Sequence, residues 1–496
     1  MKAPESYAGA KVTVMGLGLH GGGASAARFL AREGAEVTVT DLRNETELAA
    51  SLDAIASLPI RFVLGRHEDA DFAEADIVIK NPAVPRNSRY LALARRIETD
   101  ISIFLSRTSV PVVAITGTKG KSSTSSAAHH ILSETIGNTF LGGNITRSPL
   151  EFVDELTEES TVVLELSSFQ LGDLALTGAG IDALRPRVAV ITSIFRDHLN
   201  YYDSMDAYVA DKRLIYAAQQ NTDWTVARDD AWGRLFLAET PAQGAVASDA
   251  PLDPAEAGAV AGAWLDGPVG LASVPAGDVG GRGSAGAAPN AGAAPNAGGP
   301  GEAAKVIVPE RLLVPGIHMR RNLLAAGLVC RLLGVEADAI RAAAAAYPGI
   351  EHRLELVCEL GGVWYYNDSA ATIPEATLEA VGSFEAPVHL IAGGTDKNID
   401  FSLFSEISTR VAGLYLLEGN ATGPILEVLG GGGDAAGNNL QPHGPFASLE
   451  DAVTAAARAA REGEVVILSP GCASFGMFQN EFDRGRRFRD IVQALG

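Results

Sequence analysis

The run Val112-Val-Ala-Ile-Thr-Gly117-Thr118-Lys119-Gly120-Lys121-Ser122-Ser123 has the residue types needed to hold a nucleoside triphosphate. It reads as a strand, a glycine loop and the start of a helix. Backbone N–H groups from Gly117 to Ser122 can cradle phosphates, and the helix N-terminus adds a positive dipole end. Lys121 can reach the β- and γ-phosphates, and the Ser122 hydroxyl can hold Mg²⁺. The full eight-residue phosphate-loop pattern would place glycine at Ile115, so this is a shorter variant.

Two further groups fit the same chemistry. Val162-Val-Leu-Glu165 ends an apolar strand in a carboxylate, and such an acid needs a partner, which a cation beside a phosphate loop supplies. Val188–Ser193 is another strand, followed by Arg196-Asp197-His198. A His just past a strand's C-terminal end lies where doubly wound sheets bind ligands, and His198 becomes a candidate ligand of a second metal ion.

A second glycine turn, Gly16-Leu-Gly18-Leu19-His20-Gly21, follows the strand from Val12, and Asp41 ends the next strand. This is the dinucleotide-type fingerprint, and taken alone it fits either a bound nucleotide or a tight structural turn. Other polar stretches near the C-terminus sit just after a strand or in a polar loop: Glu351-His352-Arg353, Asn367-Asp368-Ser369, Gly393-Gly-Thr-Asp-Lys397 and Ser469-Pro-Gly-Cys-Ala-Ser474. Lys212, in the helical stretch from Tyr208, reads by itself as a surface lysine.

The elements that must position these residues are short β-branched runs alternating with Ala- and Leu-rich helical stretches. Lys11–Met15, Glu36–Thr40, Ile77–Ile79, Pro111–Ile115, Val162–Leu166, Val188–Ile191, His389–Ala392 and Glu464–Leu468 read as buried parallel strands. Helical periodicity lies between, as in Ala24–Glu33 and Asn322–Leu333. This predicts an α/β protein of three doubly wound domains, a count that the 496-residue length also suggests. The expected boundaries are 1–107, 108–349 and 350–496. The first and third domains are Rossmann-like, and the second is a P-loop ATPase-like domain. The stretch 242–304 is rich in Ala, Gly and Pro and reads as a disordered insertion, with its core at 277–303.

A formal net charge of −21 argues against nucleic-acid binding by bulk attraction, so anionic ligands require local cations such as Arg353 and Lys397. Three scattered cysteines, Cys330, Cys358 and Cys472, indicate no disulfide framework. No secretory leader and no membrane span are expected, and the chain reads as cytoplasmic.

Eight motifs occur in the order found in Mur ligases, and the chain resembles that family along nearly its whole length. They are Gly117-Thr-Lys-Gly-Lys-Ser, Gly142-Gly-Asn144-Ile, Leu164-Glu-Leu-Ser-Ser-Phe-Gln-Leu171, Asp197-His198-Leu, Asp211-Lys212, His352-Arg353, Asn367-Asp-Ser369 and Ser469-Pro-Gly-Cys-Ala-Ser474. The first glycine turn is similar to that of the member adding D-glutamate to UDP-N-acetylmuramoyl-L-alanine; another amino acid, such as L-glutamate, is the alternative. The resemblance implies an ATP- and Mg²⁺-dependent ligase of peptidoglycan biosynthesis, expected to be a monomer. It implies that Gly16, Gly18, Leu19, His20, Asp41, Arg43 and Asn144 contact the UDP-linked substrate. Gly117–Ser123, Asn322, Arg353 and Asp368 would contact ATP. Ser122 and Glu165 would hold one Mg²⁺ and His198 and a carbamylated Lys212 a second, with Lys121, His198 and Lys212 catalytic. Thr372, Lys397 and Ser474 would hold glutamate. Members of the family often carry Lys after Asn-Asp-Ser, where this chain has Ala370.

Overall fold

The computed structural model describes residues 6–19, 21–145, 147–198, 201–275, 303–397, 399–431, 440–474 and 476–496. Among them are three sheets, of five, nine and six strands. The first contains β1 (Lys11–Met15), β2 (Glu36–Asp41), β3 (Ile60–Leu64), β4 (Ile77–Lys80) and β5 (Ile97–Glu98), in the order β3-β2-β1-β4-β5. All its pairings are parallel. The strand order reverses between β1 and β4, so the turn after β1 lies at the switch point where doubly wound sheets bind ligands.

The second sheet contains β6 (Val112–Thr116), β7 (Thr139–Gly143), β8 (Thr161–Glu165), β9 (Val188–Ile191), β10 (Trp224–Arg228), β11 (Gln243–Ser248), β12 (Ala261–Asp266), β13 (Val269–Ser273) and β14 (Lys305–Val308). Its order is β14-β13-β12-β11-β10-β9-β6-β8-β7. β6 lies between β8 and β9, with Ile115 paired to both Glu165 and Val190. Every residue of β6, β8 and β9 is buried, as expected for strands covered on both faces, and this explains why they read as unbroken apolar runs.

Residues 242–275 correct the reading of 242–304 as disordered. β11 adds in parallel to β10, β12 to β11, and β13 folds back antiparallel on β12. Ala245, Val246, Ala261 and Ala263 have no exposure. Small side chains serve here because the sheet ladder supplies the hydrogen bonds and the alanines pack closely beside larger neighbours. The remainder, 276–302, lies outside the described residues.

The third sheet contains β15 (Glu355–Leu360), β16 (Val363–Asn367), β17 (Val388–Ala392), β18 (Gly413–Leu417), β19 (His443–Phe446) and β20 (Val465–Leu468), ordered β15-β16-β20-β17-β18-β19. It is parallel except for the β15–β16 pair. Two compact units result. The first two sheets share one, extending to Glu310 and resuming over Arg321–Ala344; the third sheet, with Arg311–Arg320, forms the other. Among the described residues no helix is long and apolar enough to cross a membrane.

Candidate active site

The loop after β6 is shaped by two glycines at positive φ, where a side chain would be strained. Gly117 has φ +147°, and a Cβ there would strike the Thr192 hydroxyl. Gly120, with φ +83°, caps helix Lys121–Thr135, and a Cβ there would lie 2.7 Å from Asn322 Oδ1. The loop is also held by the segment after β9. Thr118 N–H donates to the Ser193 carbonyl at 2.6 Å, and the Thr192 hydroxyl donates to the Lys119 carbonyl at 2.6 Å. The Thr118 hydroxyl bonds Tyr208 OH at 3.0 Å. Lys121 donates to the Thr118 carbonyl at 3.1 Å, so its ammonium folds over the loop. The first-turn N–H groups of Lys121, Ser122 and Ser123 have no intrahelical acceptor, as at any helix start. Asn322 faces this turn and accepts from the Thr124 hydroxyl at 3.4 Å.

Beside the loop, Glu165 is fully buried at the end of β8. Its Oε1 accepts from Asn144 Nδ2 at 2.9 Å, while Oε2 has no hydrogen-bond partner. A bare carboxylate oxygen at zero exposure is costly unless a cation meets it, so Glu165 fits a metal ligand. Asn144 grips Glu165 twice, its own N–H also donating to the Glu165 carbonyl at 2.8 Å.

Lys212 is not a surface lysine. It is 2% exposed, its Nζ donates to the Gly117 carbonyl at 2.8 Å, and it lies 4.6 Å from the centre of the Tyr208 ring. Burial, followed by the nearby Lys121 charge, pushes its amine down to about 7. His198 is exposed, sits at φ +53°, and its ring meets Phe169 and Tyr208 edge-on at 5.0 and 6.1 Å. Among the described residues no three His, Cys, Asp or Glu side chains converge to hold a metal by themselves. A cation at Glu165 would therefore need donors of other kinds as well.

In the turn after β1, Gly16 and Gly18 have φ of +92° and +70°. Asp41 is 4% exposed, and its two oxygens accept the N–H groups of Gly18 and Arg43 at 3.1 and 2.9 Å. Asp41 thus fixes the turn. Leu19 and Arg43 are open to solvent, and His20 lies outside the described residues.

In the C-terminal unit Asp368, Thr372, Lys397 and Ser474 lie in the segments after β16, β17 and β20, whereas Arg353 lies just before β15. Asp368 accepts the Leu354 N–H at 3.1 Å and the Ser469 hydroxyl at 2.7 Å; burial pushes its carboxyl up to about 7. Thr395 and Ala473 exchange backbone hydrogen bonds at 2.9 and 3.1 Å, which brings the Lys397 and Ser474 loops together. Gly471 N–H donates to the Ala371 carbonyl at 3.0 Å, adding the Thr372 loop to the cluster. Arg353 and Lys397 are exposed. Ala370 donates its N–H to the His352 carbonyl at 3.0 Å.

Sequence reasoning missed Arg484. It is fully buried, donating to Ser369 Oγ and O at 3.0 and 2.8 Å and to the Cys472 carbonyl at 3.2 Å. It ties the Asn367–Ser369 loop to the Ser469–Ser474 loop. An arginine in the amphipathic helix Glu481–Ala494 gives no sign in sequence that it points inward. Tyr208 was also missed, although an aromatic four residues before Lys212 lies on the same helix face.

Fold and phosphate loop together define the class: a P-loop α/β protein built to handle a nucleoside triphosphate. Residues 115–253 match the family model for the Mur ligase middle domain, and residues 10–103 match that for the Mur ligase MurD-like N-terminal domain. The chain is 42% identical to the UDP-N-acetylmuramoylalanine–D-glutamate ligase of Roseiflexus sp. (strain RS-1), covering 98% of this chain and 99% of that one. It is 38% identical to the enzyme of the same name from Treponema pallidum (strain Nichols), covering 98% of each. Among solved structures, the UDP-N-acetylmuramate–alanine ligase of Thermotoga maritima has the same fold at a TM-score of 0.56 and 18% identity, covering 98% of this chain and 100% of that one. The MurF ligase of Thermotoga maritima in complex with ADP gives 0.51 at 17% identity, covering 99% and 97%. The chain belongs to the Mur ligase family.

Proposed function

We propose that this chain adds D-glutamate to UDP-N-acetylmuramoyl-L-alanine at the expense of ATP, in the cytoplasm, as a step of peptidoglycan biosynthesis. The observation that carries this reading is 42% identity over 98% of the chain to a relative named for that reaction. Neither relative described above is named for another amino acid.

The substrate carboxylate attacks the γ-phosphorus of ATP; ADP leaves and an acyl phosphate forms. The amino group of glutamate then attacks the acyl carbon, the amide bond forms, and phosphate and a proton leave. Gly117–Ser123 hold the triphosphate, and Lys121 neutralises charge on the transferring phosphoryl group. Asn322, Arg353 and Asp368 serve the nucleotide, with Asp368 acting by ordering its loops. Gly16, Gly18, Leu19, His20 and Arg43 receive the UDP part, in a turn braced by Asp41. Thr372, Lys397 and Ser474 take the incoming glutamate.

Ser122 and Glu165 would hold one Mg²⁺, and His198 and Lys212 a second; the ions would supply Lewis-acid charge neutralisation when bound. Lys212 fits as a carbamate. A neutral amine can attack CO₂: an N–C bond forms, one proton leaves to water, and an anionic oxygen ligand replaces an ammonium. The low pKa of its amine and its burial support this role.

The test is substrate labelled with ¹⁸O in the alanyl carboxylate. Label in the released phosphate supports the acyl-phosphate route. Amide product with unlabelled phosphate contradicts it.

A further inference from the structure

Four charged residues form a chain that the reaction above does not use, buried at Lys80 and Asp173 and partly exposed at Arg86 and Asp211. Lys80, the last residue of β4, is fully buried, with Nζ 2.5 Å from Asp173 Oδ2. Asp173, on helix Ser168–Leu174, takes Arg86 Nε on its other oxygen at 2.9 Å. Arg86 reaches on to Asp211 Oδ2 at 2.6 Å and to the Ser168 and Phe169 carbonyls at 3.4 and 3.3 Å. Tyr202 OH also donates to Asp211, at 2.8 Å. Two cations meet two carboxylates, so the chain is balanced. Burial works against the Arg86 guanidinium, but its bonds to Asp211 and Asp173 outweigh that and hold it charged. The backbone makes room for it: a Cβ at Gly172 would collide with the Arg86 guanidinium.

Buried ion chains add little net stability, and their usual gain is a fixed geometry. Here the two ends are informative. Asn81, next to Lys80, donates to the Gly16 carbonyl at 3.2 Å in the first glycine turn. Asp211 immediately precedes Lys212. Only a guanidinium has the fork to meet two carboxylates and two carbonyls at once.

We propose that Arg86 is a positioning residue: it clamps helix Met205–Arg213 through Asp211 so that Lys212 stays beneath the phosphate loop, and through Asp173 and Lys80 it ties that placement to the domain carrying the first glycine turn. The inference rests on the role given to Lys212 above.

The experiment compares the wild type with Arg86→Met and Lys212→Ala. Phosphate release gives kcat and KM. A ¹³C NMR carbamate signal after equilibration with ¹³C-bicarbonate gives Lys212 modification. The expected result for Arg86→Met is a kcat about 10- to 100-fold lower, the scale for small misplacements of catalytic groups. KM for ATP stays within about twofold, since the loop itself is untouched, and the carbamate signal is reduced. A merely structural role lowers the melting temperature while leaving kcat and the carbamate signal of the folded fraction unchanged; that result overturns the proposal. If Arg86→Met does not fold, Asp211→Asn breaks the same clamp and decides by the same readings. An inactive Lys212→Ala beside a normal Arg86→Met overturns only the positioning role. A fully active Lys212→Ala overturns the role of Lys212 and the proposal with it.

Discussion

Lys212 Nζ lies 2.8 Å from the carbonyl oxygen of Gly117, although the two residues are 95 apart in the chain. This contact makes a lysine of one helix part of the phosphate loop's floor. An ammonium there would face Lys121, and burial already disfavours its charge.

Lys212→Ala is therefore expected to be nearly inactive, with partial recovery in acetate or formate, which can place a carboxylate in the vacated space. Since CO₂ adds only to the neutral amine, and that amine is pushed down to about 7, the carbamate signal of the wild type should fall as pH drops below about 7. Turnover with and without acetate, together with ¹³C NMR across pH, checks both. An active Lys212→Ala would refute the assignment.

Glu165→Gln separates metal binding from folding. The bare Oε2 is a burial cost without a cation, so in EDTA the Gln variant should melt at the same temperature as wild type or a few degrees higher. Added Mg²⁺ should raise the melting temperature of the wild type and leave Glu165→Gln unmoved. Equal Mg²⁺ shifts in both proteins would remove Glu165 from the metal site.

Gly117→Ala should lose ATP binding by at least tenfold in calorimetry, because a side chain at φ +147° would push Thr192 and Ser193 away and open the loop. Gly9→Ala is the control; Gly9 also has positive φ, but nothing lies within 4 Å of its would-be Cβ. Equal ATP affinity in Gly117→Ala and wild type would show that the loop tolerates the strain.

Asp368 gives a pH signature. Burial raises its carboxyl from 3.8 to about 7, so between those values the folded unit keeps a proton that the unfolded chain releases. Its contribution to stability is therefore lost as pH rises from about 4 to about 7 and is level above that. Asp368→Asn should flatten this slope in urea unfolding at pH 5 and pH 7. An unchanged slope would assign the pH dependence to other groups.

Much of this was legible before any coordinates. β1, β6, β8 and β9 declare themselves as apolar β-branched runs because both sheet faces are covered, and the motif residues stand at their C-terminal ends. Glu165 was readable for the same reason, as an acid closing a wholly apolar strand. Lys212 was legible only through the family resemblance, because its burial comes from a distant loop and a tyrosine ring rather than from local pattern. Residues 242–275 misled because composition reports few large side chains but says nothing of the parallel ladder that recruits alanines. Arg86 and Arg484 escaped because an inward-turned guanidinium is recognisable only once its carbonyl and carboxylate partners are known.

The most direct test of the central claim is phosphate release from ATP by the purified chain, with Mg²⁺, UDP-N-acetylmuramoyl-L-alanine and a panel of amino acids. The account predicts release that requires the UDP substrate and D-glutamate together, with L-glutamate, L-lysine and diaminopimelate near background. Release driven equally by another amino acid, or none with D-glutamate under conditions where ATP binds, would contradict it.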